Sequence, residues 1–212
     1  MAKAAAARTA SLYGVSPSVI TFQKWAAGLR EKTGRSFDEW VALVKKEGLE
    51  DEKARAEWLK KKHKFTTFNA AWIAERAGGK GGDHDSPESY LKAAPRYVDE
   101  QYSGAKENLR PIYDALLALG RSIGPDVKAC PCKTIVPLYR QHVFAQIKPT
   151  TNTRVDLGLC LTDYKGKLPK RVIDTGGAAK KDRITHRIGI KNISEIDGEV
   201  KAWLKTAYQL DA

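Results

Sequence analysis

From His142 to Leu161 apolar side chains fall on every second position. Val143, Ala145 and Ile147 alternate with Phe144, Gln146 and Lys148; after a break at PTTNT, Val155, Leu157, Leu159 and Leu161 alternate with Arg154, Asp156, Gly158 and Cys160. A period of two on both arms predicts a strand, a turn and a second strand. Just upstream, in CKTIVPLYRQ, Ile135 and Val136 predict another strand. Pro137 has no N–H for a ladder and places that strand at an edge or on a bulge. Downstream, KLPKRVID reads as a short turn or strand. THRIGIKN, in which His186, Ile188 and Ile190 alternate with Arg187, Gly189 and Lys191, completes the block.

The flanks follow helical spacing instead. Ser16 and Pro17 form a helix start, because proline in the first turn loses no hydrogen bond. Ile20, Trp25 and Leu29 are the apolar positions of a helix reaching Gly34. Ser36 with Glu39 three residues on is a capping box for a second helix that carries Trp40, Leu43 and Val44 and stops at Gly48. A third helix over about residues 51–63 turns Ala54, Trp58 and Leu59 inward. A fourth begins at Thr66 or Thr67 and presents Ala70, Trp72, Ile73 and Ala77. Ser86 and Pro87 open a further helical stretch that Pro95 should interrupt. Leu109, Ile112, Leu116, Leu119 and Ile123 mark a longer helix over about residues 105–123. A closing helix, capped by Ser194 and Asp197, buries Ile196, Val200, Trp203, Leu204 and Ala207.

Helices on both sides of a run of antiparallel strands describe an α+β fold: a small N-terminal helical bundle linked to a C-terminal antiparallel sheet flanked by helices. The boundaries read as a helical domain at 1–77, a linker at 78–85 and the α+β domain at 86–212. Four glycines in GGKGGDHD, without an apolar anchor, predict a mobile linker. It is not a phosphate loop, since no strand precedes it and no GK[ST] follows.

The length of 212 residues suits two small domains, and 42% hydrophobic with 29% charged residues is an ordinary globular composition. No apolar run approaches the ~20 residues that span a bilayer, so no membrane partner is expected. The start, MAKAAAARTASLYG, lacks the leucine-rich block of a secretory signal and reads as a frayed terminus. Three cysteines without framework spacing argue against a disulfide scaffold and for the cytoplasm. The net charge of +12 changes the picture most: both halves are cationic, and such a balance favours polyanions.

Three constellations are candidates for chemistry. Lys60, Lys61, Lys62 and Lys64 crowd the end of the third helix, more cations than its dipole needs. They lie about three residues before the fourth helix, a connection length seen in helix-turn-helix units and in plain helical hairpins alike. Thr66, Thr67 and Asn69 there suit phosphate or base edges, which makes DNA or RNA the leading partner. The second constellation is Arg154, Asp156, His186 and Arg187, bordered by Tyr139, Arg140 and Lys148: a site for a small anionic ligand, or an internal ion pair that fixes strand register. The third is Cys130 and Cys132, which with His142 and His186 could supply four zinc ligands, although the spacing does not demand it and no metal or cofactor is assigned. A metal-dependent or hydrolytic enzyme would need paired carboxylates, a nucleophile motif or a ligand set, and the sequence presents none, so no catalytic residue is named. The expectation is a binding protein.

GRSFDEWVALVKKEGL, the WLKKKH stretch and the helix at Asn69 to Ile73 resemble a small helical bacterial domain of unknown function. GPDV at Gly124, Lys133, YRQHVFAQIKP, RVDLGLCL, THRIGI and EVKAWLKTAY resemble an uncharacterised α+β domain that accompanies it, so that the two cover about residues 20–210. Where relatives of the first domain carry a glycine-rich turn after the histidine, this chain has Lys64, Phe65, Thr66 and Thr67. The second half is also distantly similar to the double-wing proteins, a resemblance that implies DNA binding by fold analogy alone.

Overall fold

The computed structural model describes residues 12–212; most of the Ala-rich start lies outside them. The architecture is α+β, with two compact units: residues 16–92, and residues 93–212 together with the described part of Met1–Val15.

The first unit is helical: α1 (Pro17–Ala27), α2 (Leu29–Thr33), α3 (Phe37–Lys46), α4 (Glu52–His63) and α5 (Thr67–Ala77). Each start has a local cause. Ser16 accepts from the Ser18 N–H, Asp51 from Ala54 and Thr66 from Asn69, while Ser36 and Glu39 form the reciprocal capping box. Leu29, Trp40, Val44, Leu59, Ala70, Ile73 and Ala74 make the core, with Trp25 and Trp58 packed half-buried at its edge. Two expectations need correction here. The first helix breaks at Gly28 rather than running to Gly34, and it buries Val19 and Phe22 while Ile20 is 55% exposed. Residues 19 and 22 share a helix face, and Ile20 lies about 100° away from Val19.

The glycine run 78–85 stands inside this unit instead of between domains. Its glycines supply positive φ at Gly79, Gly81 and Gly82, where other residues would be strained. Its far end is tied down. Arg76 bonds the Asp85 carboxylate at 2.6 Å, Gln23 donates to the Asp85 carbonyl at 2.9 Å, and the His84 ring lies near Trp72 and Tyr90. The division between units falls within α6 (Pro87–Gln101), after Lys92. That helix runs through Pro95 without a break. Pro95 sits on the exposed side, where water can serve the carbonyl it orphans, and Ala93, Ala94, Tyr97 and Val98 are buried on the other.

In the second unit a 3-10 turn, Gly104–Leu109, leads into α7 (Arg110–Ser122), so the long helix expected over 105–123 starts one residue before Pro111, which occupies the first turn. The six-stranded sheet is wholly antiparallel, in the order β1 (Lys128–Ala129), β2 (Val136–Tyr139), β3 (Val143–Thr151), β4 (Arg154–Leu159), β6 (His186–Ile190), β5 (Ile173–Asp174). Pro137 is one strand in from the edge, with a register shift immediately after Leu138. Ala145 opposes Leu159, Ile147 opposes Leu157, and Leu157 opposes Ile188. All five are fully buried, with Val136 and Leu138. α7 crosses this apolar face at Gly120, where a Cβ would come within 2.6 Å of Leu138 Cδ1. α8 (Gly198–Leu210) is capped by Asp197, whereas Ser194 belongs to a separate 3-10 turn capped by Asn192. Val200, Leu204 and Ala207 are its buried stripe; Trp203 is half-buried, edge-on to Tyr164. Among the described residues no helix is long and apolar enough to cross a membrane.

Candidate functional site

The basic run closes α4. Lys60 Nζ donates to Glu57 at 2.8 Å and is 33% exposed, whereas Lys61 is 81% exposed and only 3.8 Å from the same carboxylate. Lys62 lies over the Trp58 indole at 5.1 Å, and the Arg35 guanidinium lies over Trp40 at 5.2 Å. Between these two indoles sits the His63 ring, 4.7 Å from Trp40 and 4.5 Å from Trp58. The order is cation, indole, imidazole, indole, cation. Two surface charges are thereby held on one cluster of edge-to-face and tilted rings.

Among the described residues His63 Nε2 is buried without a partner. Burial, reinforced by Lys62 and Arg35 and opposed by Glu47, holds its pKa below the ordinary value of 6.5. The unfolded chain therefore takes up the proton more readily than the folded one. The helical unit is expected to be most stable above the unfolded histidine value and to lose stability as pH falls below it. Thermal melting at about pH 7.5 and pH 5.5 checks this; His63→Phe, which keeps a ring in the stack, should reduce the pH dependence.

Lys64 terminates α4 in the left-handed conformation at φ 60°, with its N–H on the Lys60 carbonyl and the Phe65 N–H on that of Leu59. Here a lysine does what glycine does without strain. Lys64→Gly should stabilise the unit by about 1 kcal/mol in urea unfolding, the usual scale of that penalty. At the start of α5 the Thr66 hydroxyl oxygen accepts the Asn69 N–H as the helix cap, which leaves its own proton available to donate. Thr67 is exposed, Asn69 half-buried and Phe68 57% exposed, its ring 4.4 Å from Trp72.

The sheet cluster forms on the face opposite α7, but only in part. Arg154 Nε donates to Asp156 Oδ1 at 2.7 Å and its Nη2 to Oδ2 at 3.3 Å, while Arg187 reaches Oδ1 at 3.3 Å. Lys148 stands opposite Asp156 in register and is exposed. Gly189, also opposite Asp156, leaves room for Arg154: a Cβ there would be 2.8 Å from Arg154 Cδ. Three residues expected in the cluster are elsewhere. His186 opposes Leu159 and so belongs to the other face, with Nδ1 2.9 Å from the Thr185 hydroxyl. Tyr139 follows the register shift, two strands from Asp156, and burial pushes its hydroxyl up to about 12. Arg140 stacks on Tyr208 at 4.4 Å and bonds Asp126 at 3.2 Å. With Asp156 only 7% exposed and bonded by two guanidinium groups, this cluster reads first as a lock on strand register.

Family comparisons are consistent with both units. Residues 98–211 match the domain of unknown function DUF5655, and residues 21–77 match the domain of unknown function DUF4287. The chain belongs to the DUF5655 family. No curated protein and no solved structure matches it.

Within the DUF5655 region Cys130 and Cys132 lead to no ligand set. Cys130 Sγ points to the Val15 carbonyl, Cys132 Sγ to that of Cys130, and burial pushes both thiols up. His142 pairs with Asp211 instead, its N–H at 2.8 Å and its Nδ1 at 3.2 Å from the carboxylate. In the DUF4287 region, Arg35 and Phe68 escaped the reading of the sequence. Arg35 precedes a capping box and looks like a turn residue, and Phe68 lies off the i, i+3 apolar stripe. Large side chains outside the stripe were the available signal.

Proposed function

We propose that this protein is a nucleic-acid-binding module that meets phosphate through the end of α4 and the start of α5 in its DUF4287 unit. The observation that carries the reading is the pairing of exposed cations, Arg35, Lys61, Lys62 and Lys64, with the exposed Phe68 ring at the adjoining helix start. Ammonium and guanidinium groups displace condensed counterions from a phosphate backbone. An exposed ring at the start of the next helix offers a stacking platform for an unpaired base. Lys60, shielded by Glu57, is the weakest contributor of the run. The overall charge of +12 adds long-range attraction. Free thiols at Cys130, Cys132 and Cys160 fit residence in the cytoplasm.

Fluorescence anisotropy with labelled single-stranded DNA, duplex DNA and RNA tests the proposal. Phe68→Ala is expected to weaken single-strand binding about tenfold, the scale of one base–aromatic stack, and to leave duplex binding almost unchanged. Equal losses on both would make Phe68 a structural residue and remove the stacking part of the reading.

A further inference from the structure

In the α+β unit a cavity of about 580 Å³ opens where the end of α6 and the following 3-10 turn meet β3 and the β3–β4 turn. Three lysines line it, Lys106, Lys133 and Lys148, together with the polar side chains of Thr134, Thr150 and Asn152. Glu100 is the one acid on its wall among the described residues, and that carboxylate is already bonded to Arg96 at 3.0 Å. The wall is therefore cationic and rich in hydroxyl and amide groups.

Two features show that the wall is held in place. Lys106 Nζ donates to the Pro149 carbonyl at 2.7 Å, which fixes its ammonium at the rim. Gln101, 7% exposed, donates through Nε2 to the carbonyls of Cys132 at 2.7 Å and Ile135 at 3.4 Å, the two residues that bracket Lys133 and Thr134. Among the described residues its Oε1 remains a buried acceptor without a partner. Such an atom ordinarily finds a donor, and a hydroxyl of a bound molecule or an ordered water is the natural one here. Lys148 continues the positive surface towards Arg154 and Arg187 on the same sheet face.

We infer that this cavity is a binding site for a small phosphorylated, hydroxyl-bearing ligand of the sugar-phosphate class. The volume lies in the usual range for small-molecule sites. Three ammonium groups suit a phosphate dianion; the threonines, Asn152 and the Gln101 acceptor suit hydroxyls. Among the described residues no aromatic side chain lines the cavity, so a nucleobase would gain nothing by stacking. The site lies wholly in the second unit and is independent of the nucleic-acid reading of the first.

Isothermal titration of the full chain at low salt with ribose 5-phosphate, inorganic phosphate and adenosine monophosphate is the test. Ribose 5-phosphate is expected to bind more tightly than inorganic phosphate and within about threefold of the nucleotide. The double variant Lys133→Gln, Lys148→Gln should weaken it about tenfold or more, the scale of a lost charge-assisted bond. Lys148→Gln alone, at an exposed position, should weaken it with an unchanged melting temperature, which separates ligand loss from misfolding. The variant carrying Arg35, Lys61, Lys62 and Lys64 all as Gln should bind it as the parent does. The inference is overturned if no ligand binds up to about 10 mM, if the double variant binds unchanged, or if affinity disappears with the helical cations. Nucleotide binding tenfold tighter than ribose 5-phosphate would reject the ligand class.

Discussion

Leu157→Ala is expected to lower the unfolding free energy of the α+β unit by about 3 to 4 kcal/mol. Leu157 sits in the central strand β4, faces Ile147 on one side and Ile188 on the other, and is fully buried. Strands on both sides restrict the collapse that would refill its space, so the cavity penalty adds to the lost transfer energy. A domain of this size has about 5 to 15 kcal/mol in total, and the variant should stand visibly closer to its urea midpoint. Trp203→Ala, by contrast, removes a half-buried ring and should cost clearly less. Urea unfolding followed by far-ultraviolet circular dichroism checks both. A loss below about 1 kcal/mol for Leu157→Ala would mean that this strand does not centre the core.

The sheet was the legible part of the sequence because alternation reports burial directly. Val155, Leu157 and Leu159 alternate with polar or small residues, and the same three oppose Ile190, Ile188 and His186 in the observed register. The errors came where one local rule met a tertiary one. Pro95 should have ended a helix, but its ring faces outward and the buried side of α6 carries the helix on. Glycines at 79, 81 and 82 suggested a tether, while their positive φ values build a turn that Arg76 and Gln23 pin through Asp85. Nothing local distinguishes a glycine used for flexibility from one used for a specific turn.

The candidate sites divide in the same way. Arg154 and Asp156 could be placed on one face on paper, since they lie two apart on one strand, and the register adds Lys148. Choosing between Arg187 and His186 could not be done, because the parity of β6 relative to β4 depends on a register that the sequence does not encode locally. Arg140 depended on the end of α8, almost seventy residues away, where Tyr208 receives it. Arg35 and Lys62 meet through the packing of Trp40, His63 and Trp58, a three-ring contact between separate helices. Long-range side-chain stacking of this kind has no sequence period to betray it.

Changing Arg35, Lys61, Lys62 and Lys64 together to Gln is the largest functional perturbation. Each cation that contacts a phosphate contributes about 0.9 to the slope of log affinity against log salt, so the four should flatten it by about 3 to 4 units. Binding should weaken on every sequence alike, because phosphate contacts carry no base information. Stability should fall by no more than about 1 to 2 kcal/mol, since the dipole and surface contributions are tenths of a kcal/mol each and the two exposed cation–π contacts add about 0.5 to 1 kcal/mol each. The decisive measurement is therefore the affinity of the parent and the four-site variant for one labelled oligonucleotide across about 50 to 200 mM salt. The account predicts a steep slope for the parent and a shallow one for the variant, with the variant still fully folded at the assay temperature. Superimposable slopes, or a parent that fails to bind below about 100 μM, where even non-specific binders are detected, would contradict it.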